Sequence, residues 1–192
     1  MIRIAVLGEI GAGKSHIAKL FGYPVFNADH EVSKLYKKSR KCFNKLKKVL
    51  PKYIFSFPVK KNQLSKAIIA NHNNLKHIVK IVHPEIRLNL KKFIKKNKKK
   101  KFVILDIPLL IENKINIKKD ILVFVEAKKK EIYKRLKKRG NFSLKVVNKF
   151  KKIQISSKTK KKKSDFIIKN NFKNNSVKKD VKIIIKKILL DA

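Results

Sequence analysis

The sequence predicts an α/β fold in which a parallel five-stranded sheet lies between two layers of helices. Three observations carry that expectation. Short apolar runs alternate with amphipathic helical stretches, an order that implies parallel strands joined by right-handed crossovers. A glycine-rich octet stands between the first apolar run and the first helical stretch. The 192 residues are 43% hydrophobic, enough for one substantial core, so disorder of the whole chain is excluded.

The elements follow in order. Residues 2–7 form a nearly continuous apolar run, as expected of a strand covered on both faces. Residues 14–21 carry Ile17, Ala18, Leu20 and Phe21 at helical spacing, and Gly22 and Pro24 stop that helix. A second strand is expected over 24–26, closing on Asn27-Ala28-Asp29. From His30 to about Asn97 the chain reads as helical and lysine-rich, punctuated by Pro51, Pro58 and Pro84, with nothing more strand-like than 53–57. Strands are expected at 102–107 and 121–125. A helix then spans 128–139, with Ile132, Tyr133 and Leu136 inward and Glu131 and Arg135 four apart, the spacing of a helical ion pair. A further helical stretch runs through Val146, Val147 and Phe150. Residues 165–169 form the fifth strand, and Val177, Val181, Ile184, Ile185 and Ile188 mark a closing amphipathic helix. The lysine runs at 95–101 and 158–163 are read as solvated loops or helix surfaces.

Composition excludes several classes of function. No apolar stretch approaches the ~18 residues of a membrane span. The start of the chain has no signal-peptide cleavage region, and Cys42 alone can form neither an intramolecular disulfide nor a thiolate metal cluster, so a cytoplasmic protein is expected. The net charge of +41 invites a nucleic-acid reading. Yet only five of the 53 basic residues are arginine, the residue whose planar fork reads bases and phosphates. Lysine is instead spread through a chain also rich in Ile and Asn, as expected of drift in an A/T-rich genome. Nonspecific, salt-sensitive adhesion to polyanions is expected; a specific nucleic-acid partner or a membrane partner is not. His72 and His77 stand five apart without a third ligand nearby, so no metal site is expected there.

Gly8-Glu9-Ile10-Gly11-Ala12-Gly13-Lys14-Ser15 fits G-x-x-x-x-G-K-[ST] at every fixed position. Glycines admit backbone angles that turn successive N–H groups inward into a nest for phosphate oxygens, and a helix starting near Lys14 aims its positive end at the same place. Lys14 then bridges the outer phosphates, and the Ser15 hydroxyl takes a position on Mg²⁺. His16 stands where Thr often follows, but its backbone N–H remains available. Gly8, Gly11, Ala12, Gly13, Lys14, Ser15 and His16 are the expected nucleotide contacts. The loop implies an ATP- or GTP-binding protein, and the lack of an N-K-x-D guanine signature counts against a GTPase.

Twelve acids in the whole chain make their positions informative. Asp29 follows the second strand and Asp106 ends the third, at the carboxyl ends of parallel strands where open α/β sheets bind ligands. Asp29 is expected to orient or deprotonate an acceptor hydroxyl; the alternative is a cap on a helix beginning at His30. Asp106 is expected to help hold Mg²⁺, with a polar strand end bonded to backbone as its alternative.

In order along the chain, several segments together resemble the dephospho-coenzyme A kinase family. They are residues 7–19, Pro24-Val25-Phe26-Asn27-Ala28-Asp29, His83-Pro84-Glu85-Ile86-Arg87, Leu105-Asp106-Ile107-Pro108-Leu109-Leu110-Ile111-Glu112, Arg135-Leu136-Lys137-Lys138-Arg139, Gln154, and Asp165-Phe166-Ile167-Ile168-Lys169-Asn170. The resemblance implies one three-layer α/β/α P-loop kinase domain over 1–192. Its core would comprise 1–29, 101–139 and 164–192, with a helical substrate-binding insertion at about 30–100 and a lid at about 140–163. It implies transfer of the γ-phosphoryl group of ATP, with Mg²⁺, to the ribose 3′-hydroxyl of dephospho-coenzyme A, the last step of coenzyme A synthesis. Asp29 would be the base, Lys14 and Arg139 would neutralise phosphate charge, and His83, Arg87, Asp29 and Asp106 would serve the substrate. Asn27 stands in place of the family's first Asp, Ser33 where many members carry Arg, and Lys158-Thr159 where an acidic pair is usual. Other readings are a P-loop kinase for a nucleoside monophosphate or shikimate, or a basic nucleic-acid-binding protein that keeps a nucleotide loop.

Overall fold

Strand β1 (Ile2–Gly8) is buried from Ile4 onward because its branched side chains are covered on both faces. It is the centre of a five-stranded parallel sheet in the order β2-β3-β1-β4-β5, with β2 at Val25–Asn27, β3 at Phe102–Asp106, β4 at Ile121–Glu126 and β5 at Phe166–Lys169. Every strand expected from the sequence is present, each shifted by a residue or two. The structure, a computed structural model, describes residues 1–138 and 153–191. Arg139 and the helical stretch expected through 146–150 lie outside the described residues.

The described residues form two compact units, one built from residues 1–27, 97–138 and 153–191, the other from 28–96. In the first unit the sheet packs Ile4, Val6, Phe102, Ile104, Val123 and Ile168 into one core. Helix α1 (Lys14–Leu20) adds Ile17 and Ala18, and Phe102 meets Tyr23 edge-on at 4.8 Å. A long C-terminal helix spans Asn174–Leu190 and buries Val177, Val181, Ile184 and Ile188, the stripe its spacing predicts. Each such side chain contributes about 1.5–3 kcal/mol through burial.

The second unit holds α2 (Ala28–Lys38), α3 (Arg40–Val49), α4 (Lys61–Ala70) and α5 (His72–Lys96). Ser39 caps α3, its hydroxyl accepting from the Cys42 N–H at 3.1 Å. Leu75, Ile78, Val82, Ile86 and Leu90 form one buried stripe along α5. That stripe explains a departure from expectation: Pro84 does not punctuate the chain but sits inside α5. An internal proline costs about 3 kcal/mol, and burial of Val82, Ile86 and Leu90 on either side offsets it. His83 is therefore mid-helix, not a helix-start residue.

Four other expectations are corrected. Tyr133, expected to face inward, is 46% exposed. Helix α2 starts at Ala28, so Asp29 lies inside its first turn and is not the cap of a helix beginning at His30. Glu131, on α6 (Lys129–Lys137), pairs with Lys134 at 3.7 Å, not with Arg135. The lysine run at 158–163 is not wholly solvated: it forms α7 (Ser157–Lys162), in which Lys160 is only 5% exposed. The C-terminal helix, Asn174–Leu190, is α8. Among the described residues no helix is long and apolar enough to cross a membrane.

Candidate active site

The glycine-rich octet links the carboxyl end of β1 to the start of α1, as its spacing requires. Gly8, Gly11 and Gly13 all have positive φ, and two of them admit no side chain. A Cβ on Gly8 would stand 2.7 Å from the Val125 carbonyl oxygen. A Cβ on Gly13 (φ 95°) would collide with the Asn170 amide nitrogen. Asn170 itself is buried at the end of β5. Its Nδ2 donates to the Ala12 carbonyl at 2.8 Å, and its Oδ1 accepts from the Phe172 N–H at 2.9 Å. The loop is thus braced from the neighbouring end of the sheet by a residue whose importance spacing alone did not reveal.

Four chemistry-bearing side chains, Lys14, Ser15, Asn27 and Asp106, stand on or beside this loop. Lys14 Nζ donates to the Glu9 carbonyl at 2.9 Å, which holds the ammonium over the loop backbone. Asn27, ending β2, donates through Nδ2 to Asp106 Oδ2 at 2.5 Å and to Ser15 Oγ at 3.5 Å. Asp106 is 3% exposed at the end of β3, in register with Asn27. Ser15 and Asp106 therefore share one amide neighbour at the carboxyl ends of three adjacent strands.

Beyond Asn170 lies a second feature with no sequence signal. Phe172 holds φ at 61°, and the Arg135 guanidinium lies 4.4 Å from its ring centroid, two flat groups beside the loop. Glu131, Arg135, Lys138 and Phe172 border a cavity of about 530 Å³.

Apart from Arg139, which lies outside the described residues, the remaining expected site residues lie in the second unit. Asp29 occupies the first turn of α2, and His83 and Arg87 stand four apart on α5. Glu31 Oε2 accepts from Asn89 Nδ2 at 3.0 Å, joining those two helices directly. Burial, and then the nearby Arg87 charge, push the His83 imidazole below its usual pKa, so it is neutral at pH 7. Among the described residues no group of three or more His, Cys, Asp or Glu side chains could hold a metal by itself.

A parallel sheet with a glycine-rich loop at its central strand, a loop lysine and hydroxyl, and an acid on the adjacent strand defines a P-loop kinase fold. The dephospho-CoA kinase family model matches residues 2–176, and the chain belongs to that family. It is 34% identical to the dephospho-CoA kinase of Wolbachia pipientis wMel, over 98% of this chain and 99% of that one. It is 33% identical to that of Bartonella henselae, over 97% of each. The fold is similar to that of the Campylobacter jejuni dephospho-CoA kinase, with a TM-score of 0.64 at 23% identity, covering 97% of this chain and 96% of that one. A Thermus thermophilus crystal structure is similar at a TM-score of 0.78 and 24% identity, covering 99% and 97%.

Proposed function

We propose that the protein transfers the γ-phosphoryl group of ATP to the ribose 3′-hydroxyl of dephospho-CoA, giving CoA and ADP. One observation carries the reading: the braced loop at 8–15, with Lys14 above it and Ser15 and Asp106 joined through Asn27. Backbone amides of Gly8, Gly11 and Gly13, with the start of α1, are assigned to the triphosphate, whereas the N–H groups of Ala12 and His16, also expected there, donate to the Glu9 and Gly13 carbonyls at 3.2 and 3.1 Å. Arg135 and Phe172 offer flat surfaces beside the loop that suit a nucleobase.

Ser15 and Asp106 supply hard oxygen donors with a common neighbour. That set fits Mg²⁺, which takes few protein ligands and keeps several waters. When bound, the ion neutralises charge on the outer phosphates. Asp29, two residues along the chain from Asn27, is assigned the acceptor. Its carboxylate takes the 3′-hydroxyl proton while that oxygen forms a bond to the γ-phosphorus; the bond to the bridging oxygen breaks and ADP leaves. Lys14 neutralises the charge that builds on the phosphates, and Arg139 is assigned the same task on the strength of the resemblance. Arg87 suits the acceptor's diphosphate, and a neutral His83 suits its adenine. A cytoplasmic location belongs to the same reading.

The test is ADP release with ATP, Mg²⁺ and dephospho-CoA, at enough salt to suppress adhesion. Turnover with dephospho-CoA is expected, and Lys14→Ala should lower it by at least about 100-fold with an unchanged melting temperature. Turnover with a nucleoside monophosphate or shikimate but not dephospho-CoA would overturn the proposal.

A further inference from the structure

A helix reading Ser-Lys-Thr-Lys-Lys-Lys has no apolar side chain to bury, yet α7 packs a lysine inside the protein. Lys160 Nζ lies 2.8 Å from Glu112 Oε1, and the two side chains are 6% and 9% exposed. The same carboxylate oxygen accepts from the Ile155 N–H at 3.1 Å. Glu112 Oε2 is buried with no hydrogen-bond partner among the described residues. Two further acids meet this helix. Ser157 Oγ donates to Glu9 Oε1 at 2.7 Å, and Lys161 Nζ reaches Glu126 Oε1 at 2.7 Å. In a chain with only twelve acids, three are spent on one short helix.

The energetics argue against stability as the reason. Desolvating a carboxylate and an ammonium costs several kcal/mol per ion, and a carboxylate oxygen left unpaired adds to that cost. An apolar pair of similar size would fill the space at less cost. The Lys161–Glu126 contact is too exposed to contribute much. What the pair does supply is position. Anchoring α7 sets Ser157, Ser157 holds the Glu9 side chain, and the Glu9 carbonyl receives the Lys14 ammonium.

We propose that Lys160 and Glu112 are positioning residues for the nucleotide: their buried pair fixes α7 so that Ser157 braces the phosphate loop through Glu9. Neither residue touches the reacting atoms. The inference rests on the reading of residues 8–15 as the ATP site.

The experiment compares wild type, Ser157→Ala, Lys160→Met and the double variant Glu112→Leu/Lys160→Met. Each is melted thermally, titrated calorimetrically with ATP plus Mg²⁺, and assayed for both KM values. Lys160→Met, which strands the buried acid, is expected to melt earlier. The double variant should melt at or above wild type, yet bind ATP about tenfold more weakly, with the KM for dephospho-CoA unchanged. Ser157→Ala should weaken ATP in the same direction without a change in melting, and Ser157→Thr should restore it. A double variant that melts and binds ATP as wild type does would overturn the inference, as would equal shifts in both KM values. If the double variant does not fold, Ser157→Ala decides: unchanged ATP affinity there overturns the proposal. Wild type that binds no ATP would remove the functional reading and the inference with it.

Discussion

Asp29 and His83 make opposite demands on charge, and each is open to a single-residue test. A carboxylate that accepts a proton from the acceptor matters to the transfer step and not to ATP binding. Asp29→Asn keeps the size and the helical position, so kcat should fall by about 100-fold or more while calorimetric ATP affinity stays within about twofold. Equal activity would reduce Asp29 to a helix-start acid favoured by the α2 dipole. His83 is held below its usual pKa, chiefly by burial and then by Arg87. Its unfolded form binds a proton near pH 6.5 and its folded form only at lower pH, so acidification favours unfolding. No stability is lost to this group above about pH 6.5, and the loss grows as pH falls from there toward the folded pKa. Replacing His83 by Gln should flatten the acid side of a plot of Tm against pH, leaving the neutral region nearly unchanged. The same burial logic applies to Cys42, whose thiol is pushed up by burial and by Glu85, which predicts slow reaction with maleimide until the protein unfolds.

At the scale of elements, the loop at 8–15 is the most exacting part of the chain. Gly13→Ala forces a side chain into positive φ and against Asn170, a strain of about 1–2 kcal/mol. Its Tm should drop by about 2–8 °C, and ATP affinity should fall further than that stability loss explains, because the Asn170–Ala12 brace must shift. A variant with unchanged ATP affinity would show the brace to be dispensable. The strands were legible in the sequence because apolar β-branched runs such as Ile4-Ala5-Val6 and Phe102-Val103-Ile104 leave few alternatives. The start of α2 was not, since Asp29 looks like a cap and only the short β2 brings the helix forward to Ala28. Pro84 misled for a related reason: local propensity marks a break, whereas the stripe from Leu75 to Leu90 decides the matter over a longer range. The octet and Asp106 could be read from spacing and strand position. Asn170, Phe172 and the Lys160–Glu112 pair could not, because each acquires its role from a partner more than 35 residues away.

For the whole molecule the dominant fact is the charge of +41, and the ion pairs among the described residues engage only five of the 53 basic side chains. Lysines are spread over helix surfaces in both units; at 98–101 they are exposed with no aromatic among them, while Lys160 is buried on an acid. A surface of this kind attracts any polyanion through counterion release and does not discriminate between sequences, since lysine is a point charge without arginine's fork. Two consequences can be measured on one preparation. Binding to an arbitrary single-stranded RNA should be detectable near 50 mM salt and fall steeply on a log–log plot, disappearing by roughly 0.5 M. An RNA of unrelated sequence should compete equally well at every salt concentration. Binding of ATP plus Mg²⁺ at the loop depends on fixed amides and a few close charges, which screening over about 8 Å weakens far less. Titrated in parallel, ATP affinity should therefore change by less than about tenfold across the range that abolishes RNA binding. An RNA that remains bound at 0.5 M, or that resists an unrelated competitor, would mean the basic surface has a selected partner. In that case drift would no longer account for the lysines.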